Sequence, residues 1–275
     1  MSAPADGETL HLARLLDRVA VLVASGVPPP RAWTLAGPVP RGPAREDVAV
    51  VVAVARQTGA PVAPTLHALA AAVRRTAAAD RAVRVALAGP RTSANVVLAL
   101  PLLGAGLGAT WGVDSVEVLT SSPIGWACCA AAALLVAVGR VWTRRLVDAA
   151  SPSGRIPGVL LDAWAVALSG GGSWSGAAEV VRGATDGRPA AEIEGDRLRE
   201  VLDLARRAGV PAATLLRHAA EDLRDDVAAE ALATAERLGV RLVVPLGMCV
   251  LPAFVLIGVV PVVVGILSST VPGVP

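Results

Sequence analysis

The chain has 275 residues, 54% of them hydrophobic and only 17% charged, with a mean hydropathy of +0.59. That is too apolar for an ordinary soluble domain, so part of the sequence must face lipid. The net charge of +2 conceals an asymmetry, because all 25 basic residues are arginine, none lies beyond Arg241, and no acidic residue lies beyond Glu236. The three cysteines, Cys128, Cys129 and Cys249, sit inside apolar runs, which excludes a disulfide-stapled soluble domain and makes them small packing residues.

The first residues carry Asp6 and Glu8 and no basic n-region, and the apolar stretch from Leu15 to Val27 is broken at once by Asp17 and Arg18. No cleavable signal peptide is expected. Residues 1–91 instead predict a cytosolic module of about four helices, divided by Gly26-Val27-Pro28-Pro29-Pro30, by Ala36 to Pro43, and by Gly59-Ala60-Pro61. In its last helix Leu66, Leu69, Val73, Val83 and Leu87 recur at helical spacing, with His67, Arg74, Arg75, Asp80, Arg81 and Arg84 between them. Glycine stops a helix and proline starts the next, so Gly26, Gly59 and Pro61 read as turn residues.

Residues 92–147 predict a transmembrane hairpin with spans at about 92–113 and 120–142, since a crossing needs roughly 20 apolar residues. In the first span Gly104, Gly108 and Gly112 share one helix face and would let a partner helix approach closely. Arg81, Arg84 and Arg91 precede it and Arg140, Arg144 and Arg145 follow the second, whereas the intervening loop holds Asp114 and Glu117 and no base. By the positive-inside rule that loop is external, with Trp111 and Trp126 at the outer interface and Trp142 at the inner one. Residues 148–158 form a linker.

The linker leads into a second predicted cytosolic module, 159–239, that repeats the first. Leu15-Leu16-Asp17 recurs as Leu160-Leu161-Asp162, 145 positions on, and Arg56-Gln57-Thr58-Gly59-Ala60-Pro61 recurs as Arg206-Arg207-Ala208-Gly209-Val210-Pro211, 150 positions on. Gly209 and Pro211 are therefore turn residues like Gly59 and Pro61. A C-terminal transmembrane helix, 240–268, follows Arg237 and Arg241; Pro245, Pro252 and Pro261 predict one long, kinked helix from about Gly239 rather than a hairpin. The N-terminus is then cytosolic, and the tail 269–275 emerges outside.

Signals for chemistry are sparse. Gly170-Gly171-Gly172-Ser173-Trp174-Ser175-Gly176 lacks the Gly-Lys-Ser/Thr ending of a phosphate loop and follows a helix, so it reads as a turn. His11, His67 and His218 stand alone without ligand-spaced partners, and Glu221, Asp222, Asp225 and Asp226 are interleaved with Arg217 and Arg224 as on a solvated helix face. The runs Thr92 to Val113, Val118 to Gly139 and Leu242 onward hold no Asp, Glu, Lys, Arg or His, which argues against an ion-coupled carrier. The rival readings, a small polytopic transporter or a membrane-embedded enzyme, would need polar groups at the midplane or a convergent polar cluster at the interface. Neither is visible, and no catalytic residue, metal or cofactor is expected.

The ending Arg237-Leu238-Gly239-Val240-Arg241-Leu242, Val244-Pro245-Leu246-Gly247, Leu251-Pro252-Ala253-Phe254 and Gly258-Val259-Val260-Pro261 resembles the last helix and final span of type II secretion system F-domain proteins, particularly the TadB/TadC type of Tad (Flp) pilus assembly. Ala86-Leu87-Ala88-Gly89-Pro90-Arg91 and the twin Gly-x-Pro turns are similar to that family as well, with residues 1–91 as a degenerate copy of the F-type repeat. The resemblance implies an all-α, multi-pass inner-membrane platform protein with two tandem cytosolic helical-bundle modules, three transmembrane helices and no enzymatic activity. It also implies partners: a hexameric secretion ATPase, pilin subunits, and a second F-domain platform protein or another copy of this chain. No nucleic acid is expected. The exposed arginines Arg14, Arg18, Arg74, Arg75, Arg206 and Arg207 are the candidate contacts to the ATPase, since rim charges govern encounter.

Overall fold

A computed structural model of the chain describes residues 3–110, 123–151, 153–185, 192–260 and 263. Among these residues all regular structure is helical: α1 (Ala3–Ala24), α2 (Pro29–Ala36), α3 (Pro43–Thr58), α4 (Val62–Thr110), α5 (Pro123–Ala149), α6 (Val159–Ser169), α7 (Trp174–Thr185), α8 (Glu192–Ala208) and α9 (Ala212–Arg241). The punctuation follows the sequence. Pro29 and Pro43 open α2 and α3, where a missing N–H costs no hydrogen bond, and Gly59 ends α3 in the left-handed conformation, donating its N–H to the Ala55 carbonyl.

Two compact units emerge: Met1–Ala82 with Pro152–Ala231, and Val83–Ser151 with Leu232–Pro275. In the first, α1 to α4 and α6 to α9 supply two sets of four helices in the same order. The sequence predicts two tandem modules parted by a linker; in the structure both sets belong to one unit and share α6. That helix is apolar on every side except at Asp162, the composition of a segment buried all round. Its Ala163, Val166 and Ala167 join the core of Leu15, Leu16, Val51, Val54, Leu66 and Val73. Leu161 and Ala165 pack instead with Val201, Leu216, Ala220 and Leu223 from α8 and α9. The boundary expected after residue 91 falls within α4, which runs unbroken from Val62 to Thr110.

In the second unit, long apolar stretches are exposed. Helices long and apolar enough to cross a membrane, among the described residues, are Gly125–Ala149 and Ala212–Val259. Only 17% and 28% of their most apolar windows are buried, whereas a core helix of a soluble protein would be mostly covered. Trp126, Leu134 and Val138 on α5, and Val243, Met248 and Leu251 further on, are exposed. A surface of that kind belongs in hydrocarbon rather than water. The stretch expected as the first span falls in α4, from Thr92 to Thr110, and α4 is not among the helices that meet that length and apolarity; Trp111, Gly112 and the external loop lie outside the described residues, as do Pro261 and the tail.

Beyond Arg241 the helical path continues through Val243–Pro245, Leu246–Val250, Leu251–Phe254 and Val255–Val259, one continuous helix rather than a hairpin. Leu246–Val250 and Val255–Val259 are π-helical. Pro252 removes a donor and crowds the carbonyl of Met248, four residues before, and the wider Leu246–Val250 turn that holds this carbonyl relieves the crowding. The buried face, Cys249, Val250 and Ala253, lies on segments that pack against α5.

Candidate functional site

The polar architecture of the first unit is built on two aspartate–arginine pairs. Asp17 follows the fully buried Leu16 on α1, and its carboxylate accepts hydrogen bonds from Arg74 and His67 of α4, the latter at 3.3 Å. Asp162 follows the fully buried Leu161 on α6 and accepts a hydrogen bond from Arg224 of α9. In each case the first helix of a set is tied to the fourth.

The pairs differ in environment. Arg74 is half exposed beside Asp17, whereas the Arg224 side chain is 6% exposed and Asp162 18%. Burial pushes the Asp17 carboxyl up, but the hydrogen bonds and positive charge of Arg74 and His67 outweigh it and hold the group below its ordinary value. Burial pushes Asp162 up to about 6, against the opposing pull of Arg224 and with help from the negative charge of Glu194 and Glu221. Arg224 Nε is buried without a hydrogen-bond partner, the mark of a pair held in a dry site.

A second feature locks the linker. Asp47 on α3, itself buried, accepts the Ile156 N–H at 2.8 Å and lies 3.9 Å from Arg155. Glu194 on α8 accepts the Gly158 N–H at 2.8 Å and the Leu160 N–H at 3.2 Å, capping the start of α6 with a negative charge where the helix dipole is positive. Ile156 is buried in the core between these anchors. The linker is thus held from both helix sets. Nearby, a Cβ on Gly170 would sit 2.4 Å from the Thr58 carbonyl oxygen, so the glycine-rich stretch after α6 is a close approach of two backbones as well as a turn.

The predicted site residues divide. Gly26, Gly59 and Gly209 all have positive φ, 89°, 69° and 66°, at the ends of α1, α3 and α8; Pro61 and Pro211 stand immediately before α4 and α9. Ala60 and Val210 donate to the carbonyls five residues back, Ala55 and Ala205, so both Gly-x-Pro turns close in the same way. Of the candidate partner arginines, Arg74 is taken by Asp17, Arg75 faces Glu221 at 3.4 Å, Arg206 stacks 4.8 Å over the Trp174 ring, and Arg207 donates to the Asp203 carbonyl of its own helix. Arg14 and Arg18 are exposed on α1. Gly104 and Gly108 lie in α4, and Pro245 and Pro252 precede or interrupt the π-helical turns. The acidic stretch of α9 is partly occupied by arginine, with Glu221 toward Arg75 and Asp226 at 3.1 Å from Arg197.

Sequence reasoning passed over Asp47, Glu194 and the pairing of Arg224. Arg74 and Arg224 stand 150 positions apart, the offset of the Gly-x-Pro turns, and that signal could have found the second clamp. Nothing comparable marks Asp47 or Glu194, whose partners are backbone N–H groups.

Fold and site together define an all-helical membrane protein whose polar groups fasten helices to one another. Residues 5–108, from α1 through nearly all of α4, match the family model of Type II secretion system (T2SS), protein F. That segment is similar to the family, whose members are structural platform-type membrane proteins of secretion and pilus assembly. None of the curated proteins and none of the solved structures matches the chain.

Proposed function

We propose that this protein is an inner-membrane platform of a type II secretion, Tad or type IV pilus machine, coupling a cytosolic secretion ATPase to pilin extraction and filament assembly. The reading rests on the protein F match across α1 to α4. It is supported by the recurrence in α6 to α9 of the same helix order, the same glycine turns and the same Asp–Arg clamp. In this reading the two helix sets are tandem F-type copies of TadB/TadC kind, and α4, α5 and the C-terminal helix are three spans. The N-terminus is cytosolic and the C-terminus outside. The platform contains further copies of this chain or a second F-domain protein.

The ATPase contact falls to Arg14 and Arg18, because the other candidate arginines already engage this chain. The test is co-purification of the detergent-extracted protein with the secretion ATPase at low and high salt. Capture at low salt that weakens at high salt, and that falls in an Arg14→Glu, Arg18→Glu variant, is the expected outcome. Absence of capture at low salt, or equal capture by the variant, overturns the contact.

A further inference from the structure

A cavity of about 630 Å³ lies against the locked linker, within the size range of small-molecule sites. Its apolar wall includes Ile156, Trp164, Leu223 and Val227; the charged groups around it are Asp47, Arg155, Arg182 and Glu194. Both carboxylates are already committed. Asp47 holds the Ile156 N–H and faces Arg155, and Glu194 holds the N–H groups of Gly158 and Leu160. Arg155 reaches Asp47 only at 3.9 Å and is 59% exposed. The Arg182 guanidinium, exposed on α7, has no hydrogen-bond or ionic partner among the described residues.

The unspent hydrogen-bonding capacity of this wall is therefore cationic. Ile193 and Val227 add exposed apolar surface beside it, which water solvates poorly. A neutral apolar guest would leave the guanidinium unused, and a cation would meet carboxylates that already have their donors. We propose that the cavity binds an amphiphilic organic anion, with an apolar body against Trp164 and Leu223 and a phosphate or carboxylate held by Arg182 and Arg155. Guanidinium is suited to such groups because its planar fork can donate two parallel hydrogen bonds to one anion. The guest would also rest on Ile156, inside the linker that both helix sets hold.

The test uses the full chain in phosphatidylcholine nanodiscs, titrated by calorimetry with 1-naphthyl phosphate against empty discs and against uncharged 1-naphthol. Saturable binding of the phosphate is expected. Arg182→Gln, a side chain with no contact to lose, weakens it about tenfold or more while the thermal unfolding curve stays that of the parent. Val227→Trp, which takes up part of the cavity, weakens it as well. Dihexanoyl phosphatidylglycerol is added as competitor: displacement assigns the site to lipid phosphates, and failure to displace assigns it to soluble anions. No saturable binding overturns the proposal, as does equal affinity for naphthol or undiminished binding in both variants.

Discussion

Asp17 and Asp162 each follow a Leu-Leu pair and each meet an arginine, yet their carboxyls move in opposite directions. For Asp162 the folded-state value near 6 lies above the ordinary 3.8, so the folded protein favours the protonated form. Its stabilising contribution is complete below about 3.8 and is lost as pH rises through about 6. Asp17 behaves conversely: its contribution is present above the ordinary value and is lost as pH falls through its lower folded value. Thermal unfolding of the full protein at pH 7.5 and 5.5 should show a gain of about 1 kcal/mol from Asp162 at the lower pH, a component missing from Asp162→Asn. Asp80, pushed to about 6 by burial, acts with the same sign, so Asp80→Asn is the necessary companion. An unchanged pH difference in Asp162→Asn contradicts the assignment. The glycines separate as sharply. Gly59 and Gly209 have open space around them and need only a left-handed backbone, which Asn adopts tolerably, so Gly59→Asn and Gly209→Asn should lose less than about 1 kcal/mol. Gly170 has ordinary φ but no room, and Gly170→Asn should lose about 1–3 kcal/mol or more in the same melting assay.

At the scale of elements, the clamps between first and fourth helices test how far burial decides the worth of an ion pair. Arg74→Met breaks an exposed pair and should cost about 1 kcal/mol or less. Arg224→Met strands a buried carboxylate and should cost roughly 3–5 kcal/mol, while Asp162→Leu together with Arg224→Met should recover most of the loss. Equal penalties in denaturant melts would mean that the two clamps share one environment. The linker gives a further expectation. Asp47→Ala leaves the buried Ile156 N–H unsatisfied and should raise amide exchange across 153–158, with little change in α5. Helices and their stops were legible from the sequence because 3.6-residue periodicity and Gly-x-Pro punctuation are local signals. The merging of the two helix sets was not legible, since it depends on α6 burying opposite faces against both, and a helix apolar all round does not announce its neighbours. Asp47 and Glu194 were hidden for a related reason: a side chain that caps distant backbone leaves no partner residue type to search for.

For the whole molecule, arginine placement predicts which parts face which side of the membrane. Arginines flank the predicted spans on one side only, so a cysteine at Ser115 should react with an impermeant maleimide in intact cells, in a background lacking Cys128, Cys129 and Cys249. A cysteine at Ser153 should not, and labelling at Ser153 alone inverts the topology. The platform reading requires the first outcome, because both helix sets must share the compartment of the ATPase. The π-helical turns of the last helix carry a consequence for this arrangement. Each such turn accommodates about one residue more than an α-turn, and one residue corresponds to about 100° of helical phase. Val260 is therefore wound out of step with the chain before residue 246, so that a straight heptad count would assign it to the wrong side. Removing one residue from Leu246–Val250 and one from Val255–Val259 would straighten the ladder and leave Val260 at about the same height and on the same side of the axis, whereas removing two residues from a regular stretch of the helix would swing it by more than half a turn.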